Sequence, residues 1–147
     1  MHKSILLVYD GSPEGLQALL DCADLERFRH VETHLLAIMQ IPSGPFFSDA
    51  LFFPSNLMEG EIKRHRKILD EGVSGLIGNG NPTRGHLANG EPVEQICAVA
   101  QKLKVDLIVV THHYQESFAT RWWKGSVGAS LMEKAPCSIL IAISGKR

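Results

Sequence analysis

A chain of 147 residues with 44% apolar and 21% charged residues has the make-up of a globular protein in water. At this length it can bury roughly 70% of its unfolded surface without metal or disulfide staples. Lysine plus arginine number 15 and aspartate plus glutamate 16, for a net charge of -1, so no overall field recruits nucleic acid or an anionic membrane.

Cys22, Cys97 and Cys137 lack the close spacing of a zinc or redox pair, and buried, reduced thiols are expected. Met1-His2-Lys3 runs straight into a strand-like stretch. The expectation is one domain over residues 1–147, without signal peptide or membrane span, in a reducing cytoplasm.

Ser4-Ile5-Leu6-Leu7-Val8-Tyr9 reads as a buried strand that ends at Asp10-Gly11-Ser12. Ser12 is placed to cap the next helix, with Pro13 in its first turn and Glu14 favourable to its dipole. Leu16, Leu19, Leu20 and Ala23 keep helical spacing, and Phe28 is expected at the far end. A second strand covers residues 32–39. Residues 40–55 then break the pattern with three prolines and four phenylalanines, predicting a long apolar loop tied to its own domain, with a contact surface as the sharper alternative. Residues 56–77 form an amphipathic helix with Ile62, Leu69, Val73 and Leu76 on one side. Lys63, Arg64, Arg66 and Lys67 are expected on its solvated face.

A turn at Gly78-Asn79-Gly80-Asn81-Pro82 leads to an edge strand over residues 83–88. Asn89-Gly90-Glu91-Pro92 opens a third helix, buried through Val93, Ile96, Ala100 and Leu103. Val105-Asp106-Leu107-Ile108-Val109-Val110-Thr111 is a short β-branched run and reads as a fourth strand. A polar and aromatic connection from His112 to Lys124 follows. Gly125-Ser126-Val127-Gly128 opens a helix with Val127, Leu131 and Met132 on its apolar side, and Pro136 ends it. Ser138 to Ile143 is the last strand.

The order is β-α-β-α-β-α-β-α-β, which implies an α/β fold: a doubly wound parallel sheet with right-handed crossovers and helices on both faces. Such a sheet holds ligands outside the carboxyl ends of its strands at the topological switch point. Asp10 and the loop after Thr111 should face each other there.

At this point the chain resembles the universal stress proteins. Val8-Tyr9-Asp10-Gly11-Ser12 resembles that family's first strand and its terminal aspartate. Gly90-Glu91-Pro92 with Ile96 and Ala100 resembles its third helix, and Asp106-Leu107-Ile108-Val109-Val110 its fourth strand. Gly125-Ser126-Val127 and Ala135-Pro136-Cys137-Ser138-Ile139-Leu140 resemble its closing helix and strand. The resemblance implies five strands in the order 3-2-1-4-5. It also implies a homodimer paired through the last strand, Ser138 to Ile143, and a hazardous apolar edge argues for the same pairing.

Family members divide into ATP binders and non-binders. In the binders a loop runs Gly, two residues, Gly, nine residues, Gly, then Ser or Thr. The glycines let backbone N–H groups close on the phosphates at a helix N-terminus. Here Thr111 stands at the first glycine position and Tyr114 at the second, and the third falls on Lys124, one residue before Gly125. Only Gly125-Ser126 is retained. The cofactor-binding set implied is Asp10, Gly11, Thr111, Gly125, Ser126 and Val127, with Asp10 at a ribose or adenine edge and Gly125-Ser126 at a terminal phosphate. Arg121 and Lys124 would add charge. ATP is then bound weakly or not at all, with no metal beyond the Mg that accompanies a nucleotide.

His112-His113 invites a metal site with Glu116, but adjacent residues on an extended segment point to opposite sides. Trp122-Trp123 could stack on a base, insert at an interface or cover a sheet edge. The chain has no Gly-x-Ser-x-Gly elbow, Walker loop or Gly-x-Gly-x-x-Gly fingerprint, and no catalytic residue is assigned. The function expected is a cytoplasmic, homodimeric stress-response module acting through protein partners, with no nucleic acid and no membrane. The alternative is an ATP-dependent switch using the cleft of Asp10 and Gly125-Ser126, followed by a slow nucleotide hydrolase.

Overall fold

The computed structural model describes residues 3–23, 31–40, 55–113 and 126–144. Five strands and four helices alternate: β1 (Ser4–Tyr9), α1 (Pro13–Ala23), β2 (Glu32–Met39), α2 (Ser55–Gly78), β3 (Thr83–Asn89), α3 (Pro92–Leu103), β4 (Leu107–His113), α4 (Ser126–Lys134) and β5 (Ser138–Ser144). All pairings are parallel, in the order β3-β2-β1-β4-β5. This is the parallel sheet that the alternation of elements predicts, in the strand order that the family resemblance implies.

The central strands are apolar on both faces because helices cover both. Ile5, Leu7, Tyr9, Leu35, Ala37, Leu107 and Val109 pack with Leu19 and Cys22 of α1 and Leu69 and Leu76 of α2. The alternate residues Leu6, Val8, Leu36, Ile38, Ile108 and Val110 pack with Val93, Ile96 and Ala100 of α3 and Leu131 of α4. Period-2 alternation sends successive side chains to opposite layers, so a polar residue in the middle of a central strand must be buried.

Both ends of the fourth strand differ from the sequence expectation by two residues, each through a hydrogen bond. The fourth strand begins at Leu107 rather than Val105, because Val105 N–H still closes α3 on Ala100 O at 3.1 Å. Asp106 N–H bonds to Ser4 O at 3.0 Å, while its carboxylate receives Lys3 N–H at 2.8 Å, which ties the start of β4 to β1. At the other end β4 runs two residues past Thr111, since His112 and His113 pair with Ile143 and Ser144. Those histidines belong to the strand, not to the connection.

Met132, expected on the apolar side of α4, is 68% exposed. Leu131 fills the core instead, and the next residue lies about 100° round the helix. Cys97 and Cys137, distant in sequence, pack into the same apolar layer. Burial pushes both thiols above the ordinary range, so they are not activated nucleophiles. Lys63, Arg64, Arg66 and Lys67 are all exposed, as expected for a solvated helix face. Among the described residues, no helix is long and apolar enough to cross a membrane. Phe28, most of the phenylalanine-rich loop, and Tyr114, Glu116, Arg121, Trp122, Trp123, Lys124 and Gly125 lie outside the described residues.

Candidate functional site

The strand order reverses between β1 and β4: from β1 the chain adds β2 and β3 on one side, then returns to add β4 and β5 on the other. Leu7 of β1 is level with Val109 of β4. Counting three residues on brings Asp10 to the level of His112. The carboxyl end of this strand pair is where a doubly wound sheet opens a crevice for ligand.

Asp10 is held there by the turn that follows it. Gly11 adopts φ +87°, a left-handed conformation that glycine takes without the Cβ clash other residues suffer. The turn brings Ser12 back onto Asp10: Ser12 N–H donates to Asp10 Oδ1 at 2.9 Å and Ser12 Oγ–H donates to the same oxygen at 2.7 Å. Ser12 Oγ in turn accepts Gly15 N–H at 2.9 Å, the N-cap bond of α1, worth about 1 kcal/mol. One hydroxyl thus both caps the helix and fixes the aspartate. Asp10 Oδ2 has no hydrogen-bond partner among the described residues and stays available as an acceptor.

Below Asp10 the Tyr9 ring is 6% exposed. Its burial, then the Asp10 and Glu71 carboxylates, push the phenol above its ordinary range, so it remains neutral. Gly72 of α2 lies against this ring, and a β-carbon there would sit 2.9 Å from Tyr9 Cε2.

Of the other residues singled out by sequence, Thr111 lies within β4, opposite Ala142 and 7% exposed. The chain is therefore still extended strand at the position that the alignment of Thr111 with a loop glycine assigns to a loop. Ser126 and Val127 begin α4, so the helix N-terminus expected for a phosphate is present as backbone. Ser12 was expected only as a cap, and its bond to Asp10 went unforeseen. The signal for it is the run Asp10-Gly11-Ser12 with Gly15 three residues later, where a capping hydroxyl follows a glycine turn. Among the described residues no group of three metal-ligating side chains converges.

A family model described as the universal stress protein family matches residues 1–142. The chain belongs to the universal stress protein family. Its fold is shared by a universal stress protein family member from Burkholderia pseudomallei, at 21% identity and TM-score 0.68, covering 95% of this chain and 94% of that one. It is similarly shared by a universal stress protein solved in complex with cAMP, at 19% identity and TM-score 0.71, covering 98% and 99%. A third relative is the universal stress protein from Archaeoglobus fulgidus solved in complex with dAMP, at 20% identity and TM-score 0.63, covering 96% and 97%. Between this chain and these three structures, then, the fold is retained while about four-fifths of the residues differ.

Proposed function

We propose that this universal stress protein works in the cytoplasm as a homodimeric regulatory module that meets protein partners and binds ATP weakly or not at all. The observation that carries this reading is the outer edge of β5. Among the described residues it pairs with β4 alone, and it leaves Leu140 36% and Ile141 53% exposed. An apolar strand edge is a template for another strand, and a second copy of β5 satisfies its free N–H and C=O groups. Replacing Ile141 by Lys tests the seam. The variant should sediment as a monomer with its helical content intact, and an undiminished dimer contradicts the placement.

A second reading rests on Asp10 and on two of the structural relatives. Asp10 Oδ2, without a hydrogen-bond partner among the described residues, offers one acceptor to a ribose hydroxyl or an adenine amino group, and the two relatives were solved with cAMP and dAMP. In this reading an adenine mononucleotide occupies the end of β1, while the degenerate loop leaves a triphosphate tail poorly held. Asp10→Asn should weaken such binding without unfolding the protein, and an unchanged affinity removes Asp10 from the site. A slow hydrolase at the same cleft requires product release above a blank that is lost in Asp10→Ala.

A further inference from the structure

The opposite end of the sheet carries a histidine pair for which the nucleotide cleft has no use. His34 of β2 is 2% exposed and His86 of β3 is half-buried. His34 is level with Arg84, and His86 with Leu36, so the imidazoles are diagonal neighbours on the α3 face. Their ring centroids are 5.0 Å apart, and His34 Nδ1 lies 2.8 Å from His86 Nε2. On its other side, His34 Nε2 lies 3.3 Å from Glu32 Oε1.

Electrostatics selects the tautomers. A bare nitrogen lone pair 3.3 Å from the Glu32 carboxylate is repelled whereas an N–H is attracted, which favours hydrogen on His34 Nε2. A neutral His34 then has a bare Nδ1, and His86 Nε2 must be the donor across the 2.8 Å contact. His86 Nδ1 is the one bare nitrogen left. A first added proton fits there, because the Nε2 hydrogen can pass to His34 and set the positive charge beside Glu32. A second proton has no such place. Both facing nitrogens would carry hydrogen at contact distance, and the rings must separate.

Among the described residues, the charged groups facing His86 are Arg84 on its own strand and Lys102 on α3, both cations, while Glu32 faces His34 from β2. Burial foremost, then His34, Lys102 and Arg84, hold the His86 imidazole below its ordinary range. At His86 the unfolded chain therefore binds protons more readily than the folded one as pH falls through the ordinary imidazole range near ~6.5. Stability must fall in the same direction.

We propose that Glu32, His34 and His86 form a proton-sensitive latch that holds the edge strand β3 to β2, closed while the pair carries at most one added proton and opened by a second. The test compares wild type with His86→Gln, which keeps an N–H donor toward His34 but takes up no proton. Between about pH 7.5 and about pH 5, the wild-type urea midpoint should fall further than that of the variant. Amide deuterium protection in β3 should be lost ahead of that in β1. Equal falls in the two proteins, or β3 protection that tracks β1, overturns the latch. If His86→Gln does not fold, nitrogen-15 NMR of the wild type decides. Both rings should be Nε2–H tautomers at neutral pH, and Nδ1–H on either ring overturns the assignment.

Discussion

Asp10 and Gly15 are in mutual contact: a β-carbon on Gly15 would collide with Asp10 Oδ1 and reach Ser12 Oγ at 2.8 Å. That oxygen of Asp10 cannot retreat, because two bonds from Ser12 already hold it. Gly15→Ala should therefore destabilise the protein by about 1–2 kcal/mol, since overpacking outweighs the small helix-propensity gain in a first turn. A urea melt reads the change, and an unshifted or higher midpoint contradicts the contact.

Two glycines within α2 should respond oppositely to the same substitution. At Gly72 a β-carbon would lie 2.8 Å from Leu35 Cδ2 and 2.9 Å from Tyr9 Cε2, both in core side chains with nowhere to move. At Gly60 nothing lies within 4 Å. Gly72→Ala should cost about 1–3 kcal/mol net of propensity, whereas Gly60→Ala should stabilise by about 0.5–1 kcal/mol. Thermal melts of the two variants should shift to opposite sides of wild type.

Lys104 ends α3 at φ +56°, the one left-handed non-glycine among the described residues. Its N–H reaches Ala100 O and Gln101 O, so the cap geometry is in place while the residue is strained. Lys104→Gly should relieve that strain and raise stability by about 0.5–1 kcal/mol after the added freedom of the unfolded chain is subtracted. A lowered urea midpoint contradicts this.

The fold was legible because β1, β2 and β4 each contain an unbroken apolar run, Ile5 to Val8, Leu35 to Met39 and Leu107 to Val110, separated by helical periodicity, and a sheet covered on both faces accommodates that pattern. Even the exposed edge strand β3 was marked, by its thin apolar content. The site was legible in part. Asp10 stands out as a carboxylate ending an apolar strand, but nothing local reveals that Ser12 occupies one of its oxygens. His34 and His86 escaped notice because their contact spans 52 positions and arises only from β2–β3 register. Met132 misled because helical spacing defines a stripe but not how wide a stripe the sheet margin covers.

How the end of β1 treats a triphosphate separates the weakly binding regulatory module from the ATP-dependent switch. Calorimetric titration of ATP-Mg into purified protein measures this most directly. With Thr111 buried in β4, and with Thr111 and Tyr114 standing where the resemblance to ATP-binding members expects glycines, the titration should show no saturation in the micromolar range. Saturation at micromolar ATP-Mg that disappears in Ser126→Asp would contradict the account and place a functioning phosphate cradle at the start of α4.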